Sequence, residues 1–239
     1  MPKRFVLIVL LLMGCIHEET MQQPTSSENS VASTDELRIL ALGDSYTIGE
    51  GMAPSDRWPV YLADRLREKG LQVARPEIIA RTGWTTGDLL TGIERAKPQG
   101  VYHIVTLQIG VNNQFRGYRQ DEYRKQLVTL LELAISYAGG DASHVLVLSI
   151  PDWGVTPFAA GRDRAKIGRE IDEFNKIKQQ ETERLGCHFI DVTPVSRKAE
   201  SDLTLVAGDG LHPSSTMYAK WADLSLRSAL SMKAKATAK

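Results

Sequence analysis

Five short apolar runs, each followed by a stretch whose apolar residues recur at helical spacing, leave this chain few architectures to choose from. The runs lie at 37–42, 72–79, 102–109, 144–150 and 188–192. The first, LRILAL, lacks strict alternation, as suits a strand covered on both faces. Helical patterns fall between and after them. Trp58, Tyr61, Leu62 and Leu66 form one stripe with Gly70 as a stop, and another pattern covers 88–96. Tyr123, Leu127, Leu131 and Ala134 mark 121–138; Ile167, Ile171 and Phe174 mark 164–185; Met217, Trp221 and Leu224 mark 214–231. A β-α unit repeated five times predicts right-handed crossovers and a mostly parallel sheet with helices on both faces. No internal repeat and no second domain are visible, so the expectation is one α/β domain over 36–239. A chain of 239 residues buries enough surface to fold without a disulfide or structural metal, and its two cysteines agree with that.

The first residues read as an address. Lys3 and Arg4 precede an apolar run at 5–13 that ends in Leu12-Met13-Gly14-Cys15. A membrane-spanning helix needs about 20 apolar residues, so this run has the length of a secretion signal. The quartet resembles the lipobox of bacterial lipoproteins, which implies a signal peptide at 1–14 and lipidation of Cys15. A plain signal peptide or a buried N-terminal strand is the bland alternative. By the same likeness, the uncharged Ile16 favours the outer membrane in a Gram-negative cell, and the chain is exported to the envelope. From Cys15 to Asp35 the sequence is polar and without periodicity, a flexible tether. Cys187, before an apolar run, reads as a small buried hydrophobe.

In an open parallel sheet, ligands bind beyond the carboxyl ends of the strands, so chemistry belongs in the loops that follow them. Those loops carry Gly43-Asp44-Ser45-Tyr46-Thr47, Arg81-Thr82-Gly83-Trp84, Gly110-Val111-Asn112-Asn113, Pro151-Asp152-Trp153-Gly154 and Gly208-Asp209-Gly210-Leu211-His212-Pro213. A serine hydroxyl becomes a nucleophile when a base takes its proton, and the base works best when a third group fixes its tautomer. Ser45 sits where a strand turns toward a helix. His212 is the best base because Asp209, three residues earlier, can hold its Nδ1. Of the other histidines, His17 lies in the tether, and His103, His144 and His188 lie at strand starts, the opposite edge. The developing oxyanion needs donors, and the backbone N–H groups of Ser45 and Gly83 and the amide of Asn112 can supply three.

These motifs, in this order, resemble the SGNH (GDSL-type) serine esterases and lipases. The likeness rests on G-D-S-Y-T, the glycine of R-T-G-W-T, G-V-N-N and D-G-L-H-P, which span most of the domain. It implies a three-layer α/β/α sandwich with a five-stranded parallel sheet. It further implies Ser45 as nucleophile, His212 as base, Asp209 as its partner, and an oxyanion hole of Ser45, Gly83 and Asn112. Many members carry Asp where this chain has Asn113, which leaves the support of that loop in question.

Other readings of the same residues fare worse. Gly43-x-Ser45-x-Thr47 is not the G-x-S-x-G elbow of α/β-hydrolases, and the glycines at 43, 49 and 51 lack a phosphate-loop ending. Asp209 and His212 have no evident third metal ligand. Taken singly, Ser45 is an ordinary helix cap, Asn112 a turn residue and Gly83 a positive-φ glycine. The expected reaction is hydrolysis of a carboxylic ester through an acyl-enzyme, which requires no cofactor; the alternative is a lipid-anchored, non-catalytic binding protein on the same fold. Trp84, Phe115, Trp153 and Phe158 either rim the cleft or plug the core ends. Arg81, Arg116 and Arg119 either meet an anionic group or are solvated. Lipid esters, short-chain esters, O-acetylated carbohydrates and thioesters stay open as substrates. The chain has 29 basic and 29 acidic side chains and a formal charge of zero, which argues against nucleic acid as a partner.

Overall fold

The computed structural model describes residues 36–236. Its strands are β1 (Ile39–Gly43), β2 (Glu77–Ala80), β3 (Ile104–Gln108), β4 (Val145–Leu148) and β5 (His188–Ile190). They form a single sheet in the order β2-β1-β3-β4-β5, and every pairing is parallel. The α-helices are α1 (Ser45–Ile48), α2 (Trp58–Glu68), α3 (Thr86–Ala96), α4 (Val111–Phe115), α5 (Gln120–Tyr137), α6 (Arg164–Arg184), α7 (Thr193–Arg197) and α8 (Ser215–Ala236). Helices α2 and α8 pack on each other, while α3 meets α5 and α5 meets α6. This is the expected α/β/α sandwich around a five-stranded parallel sheet. The signal peptide, the lipidation at Cys15 and the tether lie outside the described residues.

The three inner strands are buried at every position, which is why β1 and β4 read as continuous apolar runs and β3 is interrupted only by the buried Thr106 and Gln108. Strands are shorter than the runs that announce them. Only the end of the 72–79 run pairs: Pro76 has no N–H to give a ladder, and Val73 makes an isolated bridge to Leu37. His144 belongs to a 3₁₀ turn that Asp141 caps through the Ser143 N–H, so β4 begins one residue later.

Register positions the site. Gly43, the last residue of β1, lies level with Ala80 of β2 and Gln108 of β3, so the three loops that follow open side by side. The strand order reverses between β1 and β3, the switch point where such sheets leave a crevice.

Candidate active site

The chain leaves β1 through a turn that needs glycine at 43 and is capped by Asp44. A Cβ on Gly43 would lie 2.1 Å from Thr47 Oγ1 and 2.5 Å from the Gln108 carbonyl. The carboxylate of Asp44 accepts from the Tyr46 N–H (3.1 Å) and is the N-cap of α1, so Ser45 is the first helical residue and not its cap. The N–H of a first-turn residue has no intrahelical partner, and that of Ser45 donates to nothing among the described residues.

The other two donor loops are laced together. Gly83 takes φ +82°, a conformation that glycine adopts without strain. Its carbonyl accepts from Arg116 Nη2 (2.7 Å), while its N–H, like that of Ser45, has no partner among the described residues. Asn112, in α4, gives one amide hydrogen to the Trp84 carbonyl (2.9 Å) and has a second to offer. Asn113 is fully buried: its Oδ1 accepts from the Thr86 N–H (3.0 Å) and its Nδ2 donates to Thr86 Oγ1 (2.8 Å). The loop after β3 is thereby tied to the start of α3, which answers the question that the asparagine raised.

His212 is set by a compact turn. Asp209 Oδ1 accepts from the backbone N–H groups of Leu211 and His212 (2.9 Å each), and Oδ2 accepts from His212 Nδ1 (2.6 Å). That bond places the ring hydrogen on Nδ1 and leaves Nε2 able to take a proton. Partial burial would raise the Asp209 carboxyl, but the bonds from the ring and from the two amides outweigh it and hold its pKa below the ordinary value. The imidazole packs edge-on against Tyr46, centroids 5.6 Å apart. His103 and His144, by contrast, are joined at the other edge of the sheet, the first accepting from the Arg38 N–H and the second bonding the His103 carbonyl.

Ser45, Gly83, Asn112 and His212 line one cleft of about 170 Å³, with Tyr46, Thr82, Val111, Phe115, Trp153, Phe158 and Leu211. No hydrogen bond joins Ser45 Oγ to the imidazole in this geometry; nucleophile and base often sit looser than the reacting distance until substrate is bound. Among the described residues, no three His, Cys, Asp or Glu side chains gather as metal ligands would.

Of the aromatic candidates, Phe115 and Trp153 face the cleft. Trp84 does not. Its ring lies against α3 at Gly92, where a Cβ would come within 2.3 Å of it, beside a groove along β2. The small residue on α3 opens a seat that the tryptophan fills, so the ring packs on the protein instead of the substrate. Arg116 is engaged with Gly83 and lies 3.8 Å from Asp88, and Arg119 is bidentate to Asp121 (2.9 Å each).

Two buried groups escaped the sequence reading. Lys178 is fully buried and donates to the carbonyls of Ile109 (2.8 Å) and Leu148 (2.9 Å), at the ends of β3 and β4. Burial lowers its pKa to about 7, against the pull of Asp44; burial likewise raises Asp44 to about 7, against the Tyr46 N–H and Lys178. A signal existed: Lys178 continues the buried stripe Ile167, Ile171, Phe174 by one more helical step. Gln114 is the other, its Oε1 accepting from Trp153 Nε1 (2.8 Å) and its Nε2 bonded to Glu170.

Comparison with known proteins places the chain in a family. Residues 41–220 match the GDSL-like lipase/acylhydrolase family. An arylesterase of Vibrio mimicus is 29% identical over 189 residues, covering 77% of this chain and 84% of that protein. In fold, the chain is similar to a lipolytic protein of the G-D-S-L family from Veillonella parvula (TM-score 0.62, 17% identity, 80% of this chain and 97% of that one). It is also similar to the acetylxylan esterase Axe2 of Geobacillus stearothermophilus (TM-score 0.61, 20% identity, 81% and 94%). The chain belongs to the GDSL-like lipase/acylhydrolase family and is a carboxylic ester hydrolase.

Proposed function

We propose that Ser45 is the nucleophile, His212 the general base and Asp209 the group that orients it. The observation that carries this is the Asp209–His212 pair opening onto the same cleft as Ser45 and three uncommitted donors. His212 Nε2 takes the Ser45 Oγ proton as Oγ bonds to the ester carbonyl carbon. The carbonyl oxygen becomes negative and is met by the Ser45 and Gly83 N–H groups and the free amide hydrogen of Asn112. The C–O bond to the alcohol then breaks and His212 returns its proton to that oxygen. Water repeats the cycle on the acyl-enzyme and frees the acid.

The substrate we propose is an ester with a short acyl group. A cleft of about 170 Å³ is smaller than the ~300–1,000 Å³ of sites for drug-sized ligands, and its Phe115, Trp153 and Phe158 suit the flat face of an aryl or sugar alcohol. O-acetylated carbohydrate is thereby included, and long-chain lipid is disfavoured. We also propose, from the lipobox alone, that Cys15 is lipidated and holds the domain at the cell envelope. Loss of palmitate labelling and of membrane association in Cys15→Ser would bear that out.

A fluorophosphonate probe tests the roles. The expected label falls on Ser45, disappears in Ser45→Ala and drops sharply in His212→Ala. A wild-type chain that stays unlabelled would overturn the assignment and favour a binding protein. Rates on 4-nitrophenyl esters of graded length, beside acetylated xylan, test the substrate: acetyl should outrun palmitoyl.

A further inference from the structure

The aromatic wall of the cleft carries a cation that nothing else in the described structure neutralises. Phe115, Trp153 and Phe158 form a triangle of tilted and edge-on contacts, with centroids 5.4, 6.3 and 5.9 Å apart. The guanidinium of Arg162 sits over all three rings, 5.4 Å from Phe115, 5.4 Å from Trp153 and 5.1 Å from Phe158. Trp153 and Phe158 come from the loop after β4 and Phe115 from the end of α4, and all three line the cleft that holds Ser45 and His212. Trp153 is buried and braced by Gln114, whereas Phe115 and Phe158 are 46% and 40% exposed, so the wall runs from the floor to the mouth.

Arg162 is exposed; its backbone N–H donates to the Ala159 carbonyl (3.1 Å), but among the described residues its guanidinium makes no hydrogen bond or ion pair. Acids of its own segment are engaged elsewhere: Asp163 caps α6 through the Lys166 N–H, and Glu170 accepts from Gln114 and lies 3.7 Å from Lys166. Neighbouring Arg164 bonds the Thr156 carbonyl. Cation–π attraction to three faces holds the planar fork over the wall while leaving its N–H donors outward. A donor set ordered before binding loses less entropy when it meets a planar anion.

We propose that Arg162 is a specificity-determining residue, and that the ester this cleft prefers carries a second, anionic group of the carboxylate kind. The proposal rests on the site assignment above and names its substrate class. The ester carbonyl takes the oxyanion donors, the flat or aliphatic body lies along the Phe115–Trp153–Phe158 wall, and the carboxylate meets Arg162 at the rim.

The test uses two isosteric pairs, one for each side of the ester bond. On the alcohol side it compares 4-acetoxybenzoate with 4-acetoxybenzamide; on the acyl side, mono-4-nitrophenyl adipate with the 4-nitrophenyl ester of adipamic acid. The quantity read is the ratio of kcat/KM for acid over amide, in wild type and in Arg162→Met, which keeps an apolar stem on the rings. In at least one pair the wild-type ratio should exceed the Arg162→Met ratio about fivefold, with partial rescue in Arg162→Lys and inversion in Arg162→Glu. The excess should shrink as salt rises. Equal ratios in wild type and Arg162→Met for both pairs would overturn the role of Arg162 and leave the esterase site standing. No Ser45-dependent turnover of any of the four esters would remove the site assignment, and this proposal with it.

Discussion

Two aspartates stand within three residues of the proposed catalytic side chains, and they do opposite things because one is wet and the other dry. Asp209 lies at the rim with its side chain 37% exposed and accepts three hydrogen bonds, which hold it ionised against partial burial. Asp44 lies under the nucleophile at 1% exposure, accepts one hydrogen bond from the Tyr46 N–H, and has its pKa driven up to about 7 by burial. An acid that must polarise a histidine has to stay charged through the cycle, and water plus backbone N–H groups make that inexpensive. An acid that only shapes a turn can be kept dry, provided a partner such as Lys178 shares the burial.

The contrast breaks most visibly at Asp209. Asn in its place keeps the size and one acceptor but presents an amide where the Nδ1–H must donate, so the ring settles in the wrong tautomer. We expect kcat to fall about 10³- to 10⁴-fold with the melting temperature nearly unchanged. Retained activity in Asp209→Asn would show that the rim acid is dispensable and that its likeness to an orienting group misleads.

Lys178→Met should do the reverse, with its larger effect on stability. It leaves the Ile109 and Leu148 carbonyls without their donor and Asp44 without its counter-charge. The two buried carbonyls left unsatisfied cost about 1–3 kcal/mol each, so thermal unfolding should drop by at least roughly 4–8 °C. The double variant Asp44→Asn/Lys178→Met removes both charges and should recover part of that loss. A double variant as unstable as the sum of the singles would mean that the two groups do not act on each other.

How legible these regions were in the sequence follows from the same difference. The rim was readable because its parts are local: Asp209 and His212 share one turn, and Gly83 and Asn112 lie three and four residues past the ends of β2 and β3. The strands were readable because both faces of β1, β3 and β4 are covered, which leaves apolar runs broken only by the buried Thr106 and Gln108 of β3. The floor was not, since Lys178 comes within electrostatic range of Asp44 only once α6 has packed against the sheet, although the lysine on a buried stripe marked the place. Trp84 was misplaced because its seat is a missing side chain, Gly92, one turn and more along another element. Arg162 was not singled out: Trp153 and Phe158 share its loop, but the cluster is completed only when Phe115 is brought in from α4.

The smallest effect gives the sharpest comparison, because the two regions should respond to pH with opposite signs. Asp209 titrates below its unfolded value, so its contribution to stability is present above that value and fades as pH falls through the lower, folded one. Asp44 titrates above its unfolded value of 3.8: between there and about 7 the folded chain binds the extra proton, and stability declines as pH rises. Lys178 is lowered from 10.5 to about 7, so across that upper window the unfolded chain holds the extra proton, and stability climbs with pH. Melting temperatures of wild type minus the Asp44→Asn/Lys178→Met variant should therefore pass through a minimum near pH 7, a few degrees below the values at pH 5 and pH 9. Wild type minus Asp209→Asn should be flat over that range and decline only in acid. A difference curve without the neutral minimum would mean that the floor stays an ordinary ion pair at all pH values, and the division between a wet acid and a dry one would fail.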